Sequence, residues 1–137
     1  MKSNTVFLAR YIGAFTIIET ILMALYRTNA QERIYDVLYD RALAFTYGLI
    51  TLAIGLAIVT THNVWRGGLL PFVVTLVGWL LLARGVVLQV IPPELAQEVL
   101  KALHFEPLYY AYLAVPLVLG AYLVIAGWRS RPGATGA

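Results

Sequence analysis

Apolar residues dominate four stretches of the chain, at about 6–26, 42–61, 69–91 and 108–128, and the segments between them carry most of the charge. A helix rises 1.5 Å per residue, so ~20 residues cover the ~30 Å hydrocarbon core of a bilayer. Each stretch approaches or exceeds that length, which predicts four transmembrane helices. The connections differ. Residues 62–68 make a short loop, whereas "RTNAQERIYDVLYDR" and "PPELAQEVLKALHFEP" are long and patterned. Ala30, Ile34, Val37 and Leu38 fall on one helical face in the first, and Leu95, Val99, Ala102 and Leu103 do so in the second. Both patterns predict short amphipathic helices, about 29–41 and 94–105, lying at the membrane interface. Pro92 and Pro93 end the third span, Pro107 precedes the fourth, and Pro116 should kink it. Residues 129–137 read as a flexible tail, and 1–137 as one transmembrane domain.

A shift of 65 residues superimposes the two halves without a gap. Gly13 falls on Gly78, Leu38 on Leu103, Tyr47 on Tyr112, Leu52 on Leu117 and Gly55 on Gly120. The predicted fold is therefore an all-α membrane protein built as two span–amphipathic helix–span repeats. Both repeats keep the same orientation, which implies a pseudo-two-fold axis along the membrane normal. At this offset Glu19 pairs with Arg84, Arg33 with Glu98, Asp36 with Lys101 and Arg41 with Glu106, each time with opposite sign. Equivalent positions meet only near such an axis, where opposite charges attract.

Composition agrees with the pattern. Of 137 residues 61% are hydrophobic and 12% charged, against roughly a quarter charged in a soluble domain. The absence of cysteine excludes disulfides, thiolate metal sites and cysteine nucleophiles. The first span contains Arg10 and Glu19 and is too long for a signal-peptide core, so it reads as retained. The net charge of +3 is not gathered into a stripe, and no nucleic-acid partner is expected. Lys2, Arg10, Arg66, Arg129 and Arg131 share one side of the membrane with no acid. Arg27, Arg33, Arg41 and Lys101 face Glu32, Asp36, Asp40, Glu94, Glu98 and Glu106 on the other. The positive-inside rule then places both termini in the cytoplasm.

Few residues carry candidate chemistry. Glu19 and Arg84 lie within spans, where ionisable groups pair with one another or line a cavity. They are expected to form an intramembrane charged pair, either structural or part of a transport site. Glycines recur seven apart at Gly48 and Gly55, Gly78 and Gly85, and Gly120 and Gly127, which lets neighbouring helices approach closely. His62 and His104 fall on opposite sides of the membrane, so one subunit cannot combine them at a metal or haem. No phosphate-cradling loop or nucleophile–base set is present. No cofactor, metal site or catalytic residue is predicted. His62, Asn63, Trp65 and Arg66 form the hairpin between the repeats and read as a docking surface.

The run "GLAIVTTHNVWRGGLLPFVVTLVGWLLLARGVV" (55–87) carries a His-Asn-x-Trp element at His62, Asn63 and Trp65. A Thr-Leu-x-Gly-Trp element follows at Thr75, Leu76, Gly78 and Trp79, then Arg84 and Gly85. This hairpin, about a quarter of the chain, resembles a family of small bacterial inner-membrane proteins to which no activity is attached. The family tends to carry lysine at the position of Arg84. The resemblance implies a bacterial inner-membrane location and leaves activity open. Small size and close-packing glycines favour a non-enzymatic protein that works by association, as a homo-oligomer or an accessory subunit of a membrane complex. A small transporter or channel using Glu19 and Arg84 is the alternative. A lipid-modifying enzyme is the remote one.

Overall fold

The computed structural model describes residues 3–130, except for the side chains of Ser3, Ala30 and Gln31. It contains helices α1 (Ser3–Leu25), α2 (Arg27–Tyr39), α3 (Arg41–Thr61), α4 (Leu69–Val90), α5 (Pro93–Ala102) and α6 (Tyr109–Arg129). The spans α1, α3, α4 and α6 are long and apolar enough to cross a membrane. Of the expected tail, Arg129 is the last residue of α6, and residues 131–137 lie outside the described residues.

Local chemistry sets the breaks. Asp40 ends α2 and caps α3, its carboxylate accepting from the N–H groups of Ala42 (2.8 Å) and Leu43 (3.1 Å). Pro93 opens α5, where its missing N–H costs nothing. Gly67 and Gly68 take φ of 104° and 122°, the left-handed region that turns the chain between α3 and α4. Pro116 sits inside α6, which continues through it as one helix.

The spans pack as two antiparallel pairs, α1 with α6 and α3 with α4, and the pairs meet mainly through α1 and α4. Each pair joins one span from each repeat, and the shift of 65 maps one pair onto the other. A Cβ added at Gly13 would meet Leu123 Cβ at 2.9 Å, and one at the equivalent Gly78 would meet the equivalent Ile58 Cβ at 3.1 Å. Gly120 packs against Thr16 and Ile17, and its counterpart Gly55 against Leu81 and Leu82. Equivalent contacts around one axis are the physical content of the repeat.

The amphipathic helices have unequal partners. Ile34, Val37 and Leu38 of α2 are half-buried, while Leu95 and Val99 of α5 and Leu103 at its C-cap stay exposed. The Ala30 side chain, expected on the same face of α2, lies outside the described residues. Buried apolar residues gather towards the end of the bundle that carries the 62–68 hairpin: Ala9, Ile12, Ile58, Leu70, Val74 and Leu123.

Candidate functional site

Two helix seams define the site. Thr5, Ile12 and Glu19 recur every seven residues along α1, with Tyr26 just past its end, and Leu70, Val77 and Arg84 are their equivalents on α4, with Ile91 just past its end. A seven-residue spacing keeps a seam on one face when helices cross at shallow angles. At the hairpin end the seams close: Thr5, Ile12 and Leu70 are 2%, 8% and 6% exposed, and Val77 packs against the core. One step further on, Glu19 and Arg84 are exposed. Glu19 and Arg84 thus continue the two seams towards the α2/α5 end, where both side chains are exposed.

Glu19 lies six residues before the end of α1 at Leu25, and Arg84 six before the end of α4 at Val90. Both depths are about 9 Å below the helix ends, on the α2/α5 side of the bilayer. The Arg84 guanidinium sits 6.0 Å from the ring centroid of Tyr47 on α3, within range of a cation–π contact. Among the described residues no ion pair joins Glu19 to Arg84. The repeat brings the two charges to one level about one axis and leaves them unpaired.

At this end α2 and α5 touch, and a cleft of about 490 Å³ lies between α2, α5 and the α5–α6 connection. Tyr35, Tyr39, Lys101, His104 and Glu106 line it. The Tyr35 hydroxyl donates to Glu106 Oε1 at 2.7 Å. That hydrogen bond, with burial and the carboxylate's charge, pushes the Tyr35 phenol up to about 12. Arg27 donates to the Glu106 carbonyl at 3.0 Å, and its guanidinium lies 5.5 and 5.3 Å from the rings of Tyr109 and Tyr110. Glu106 thus engages Tyr35 through its carboxylate, while Arg33, Asp36, Arg41, Glu98 and Lys101 are exposed. Tyr35, Arg27 and Tyr47 give no distinct signal in the sequence, because their roles come from neighbours 37 to 83 positions away.

The hairpin residues divide. His62 is 2% exposed and turned inward, its Nε2 donating to the Pro71 carbonyl at 3.3 Å. Asn63 accepts from Trp79 Nε1 at 3.5 Å. Trp65 packs edge-on against Phe72 at 5.8 Å, and Arg66 is exposed. Any docking surface here is made by Asn63, Trp65 and Arg66, because His62 is part of the protein's interior. Buried Thr75 binds the loop back to α4, accepting from Val64 N–H (3.0 Å) and donating to Val64 C=O (3.1 Å). Its equivalent, Arg10, fastens α1 to α6 by donating from Nε to Gly127 C=O at 3.0 Å and lying 4.7 Å over Trp128. His104, at the other end, contacts Ala102 O through Nδ1 at 3.1 Å. No three His, Asp or Glu side chains converge as a metal site among the described residues.

No protein-family model, curated protein or solved structure matches the chain. One carboxylate and one guanidinium at hydrocarbon depth can bind a polar or charged species, or close on each other.

Proposed function

We propose that the protein is a small, non-enzymatic transporter or channel of the bacterial inner membrane, with both termini cytoplasmic and Glu19 and Arg84 as its intramembrane site. The support for this reading is a pair of charges inside the spans that have no ion pair between them. Two opposite charges occupy equivalent positions at one depth, exposed and without an ion pair between them, where an uncompensated charge costs several kcal/mol. A pair kept only for packing would be expected to be closed. The side assignment rests on five basic residues and no acid at the termini and hairpin.

The test is the melting temperature of the purified protein across a panel of inorganic ions, amino acids and amines. One class is expected to stabilise the wild type and to lose its effect in Glu19→Gln and Arg84→Gln. If no ligand acts, and both variants simply lower stability while the exchange Glu19→Arg/Arg84→Glu restores it, the pair is structural and the proposal fails.

Association remains a second reading, favoured by the exposed stripe of Leu95 and Val99 on α5 with Leu103 at its C-cap, and by exposed Trp65 and Arg66 at the hairpin. Its partners would be a second copy or subunits of a membrane complex. Purification from native membranes with mass spectrometry of co-purifying chains tests it. A stoichiometric partner or a defined homo-oligomer supports association, and a lone monomer refutes it.

A further inference from the structure

We infer that Glu19 and Arg84 form their ion pair between two copies of this chain, Glu19 of one against the partner's Arg84, so that α1 and α4 present the interface of a homo-oligomer. This inference rests on the association reading above and puts the intramembrane pair at the contact between copies. Depth carries the argument. Each residue lies six positions before the end of its helix, at Leu25 and at Val90, about 9 Å below the helix ends on the α2/α5 side of the bilayer. Copies inserted with one orientation therefore offer a carboxylate and a guanidinium at the same level, and every chain carries both halves of the contact. A two-fold dimer makes the contact twice, and a ring makes it once per interface. A different protein would have to bring a matching charge to this depth, whereas a second copy brings it by construction.

Within one chain both side chains are exposed, and among the described residues neither meets an opposite charge. Arg84 has only the Tyr47 ring beside it, 6.0 Å away. Arg10, which also lies within a span, is by contrast satisfied inside its own chain: its Nε donates to Gly127 C=O at 3.0 Å, and its guanidinium lies over Trp128. An arginine can reach towards the headgroups from the depth of Arg84, but a glutamate has a shorter stem. An isolated charge inside a span is costly, and an opposite charge from a partner offsets that cost. Exposed Phe15, Ile18 and Leu22 border Glu19, and exposed Leu80 and Val87 border Arg84. These apolar side chains keep the contact at low dielectric, where opposite charges attract most strongly.

The experiment co-expresses two differently tagged copies of the full chain, extracts them in mild detergent, purifies through one tag and measures how much of the other follows. Wild type is expected to carry both tags. Glu19→Arg leaves two cations and Arg84→Glu two carboxylates, so each variant is expected to associate with itself about a hundredfold more weakly than wild type. Mixing these two variants restores opposite charges across the interface, and co-purification is expected to return. Neither chain in that mixture holds an opposite charge of its own at these positions, so a pair formed within one chain cannot produce the rescue. The double exchange Glu19→Arg/Arg84→Glu keeps the net charge and covers a single variant that fails to fold. It is expected to associate with itself and to refuse wild type. The inference is overturned, with association left standing, if the single variants self-associate as wild type does, if their mixture gains nothing, or if the double exchange mixes freely with wild type. A wild type that leaves the membrane only with a different protein overturns it in the same way, and one that leaves alone overturns association too. No ligand enters the measurement, so failure of the transport reading does not touch it.

Discussion

The α3–α4 interface can be tested with a single methyl group. Gly55 lies so close to α4 that a Cβ placed there would stand 2.7 Å from Leu82 Cα and 2.9 Å from the Leu81 carbonyl carbon. These are backbone atoms and cannot rotate away. Carbon atoms pack favourably at about 3.5–4.0 Å, so Gly55→Ala must move the two helices apart by about 1 Å, which forfeits a quarter to a half of the dispersion energy at flanking contacts. Overpacking of this kind costs about 1–3 kcal/mol. Alanine returns up to ~1 kcal/mol through its better helix propensity. Subtracting ~1 from 1–3 leaves a net loss of about 0–2 kcal/mol, and the immovable backbone contact puts Gly55→Ala in the upper part of that range. The repeat supplies the control. Gly120 occupies the equivalent position on α6, but an added Cβ there meets the Ile17 side chain at 3.0 Å and the Gly13 carbonyl at 3.1 Å. A side chain can yield, so Gly120→Ala should cost less than Gly55→Ala. Unfolding of the purified protein by titration with sodium dodecyl sulfate, followed by far-ultraviolet circular dichroism, measures both. The reasoning is refuted if Gly55→Ala is as stable as wild type, or if Gly120→Ala costs as much.

Three further outcomes follow from named contacts. Thr75→Val keeps the shape but leaves the Val64 N–H and C=O without their partner, and should cost about 1–3 kcal/mol in the same titration; Thr75→Ser should retain most of the stability. Asp40→Ala removes the α3 cap and should cost ~1 kcal/mol, whereas Asp40→Asn should be close to neutral. The raised Tyr35 phenol favours the folded state while it is protonated, so its stabilising contribution is present below pH ~10 and is lost as pH rises through about 12. In the ultraviolet difference spectrum against Tyr35→Phe, phenolate should form near that higher value and move down towards ~10 in a Glu106→Gln background. An unchanged titration in that background would refute the hydrogen bond as the cause.

The sequence alone determined the elements and their repetition. Hydrocarbon thickness and the cost of an unsatisfied backbone act on each span locally, so four apolar runs become α1, α3, α4 and α6 whatever they pack against. Asp40, Pro93 and the Gly67–Gly68 pair punctuate them through chemistry within a few residues. The offset of 65 likewise needed no coordinates, because one shift aligns spans, amphipathic helices and glycines together. Only the tertiary structure decided which helices pair. Spacing puts Gly13 and Gly120 on suitable faces, but nothing local says that α1 meets α6 rather than α3. It also decided that Glu19 and Arg84 stand apart. Opposite sign at equivalent positions predicts attraction, yet Ile12, Leu70 and Val74 share one buried core at the hairpin end while Glu19 and Arg84, one step further along, are exposed with no ion pair between them. Whether a charge finds its partner depends on how two helix pairs lean against each other, and that is settled by side-chain volumes summed across the bundle.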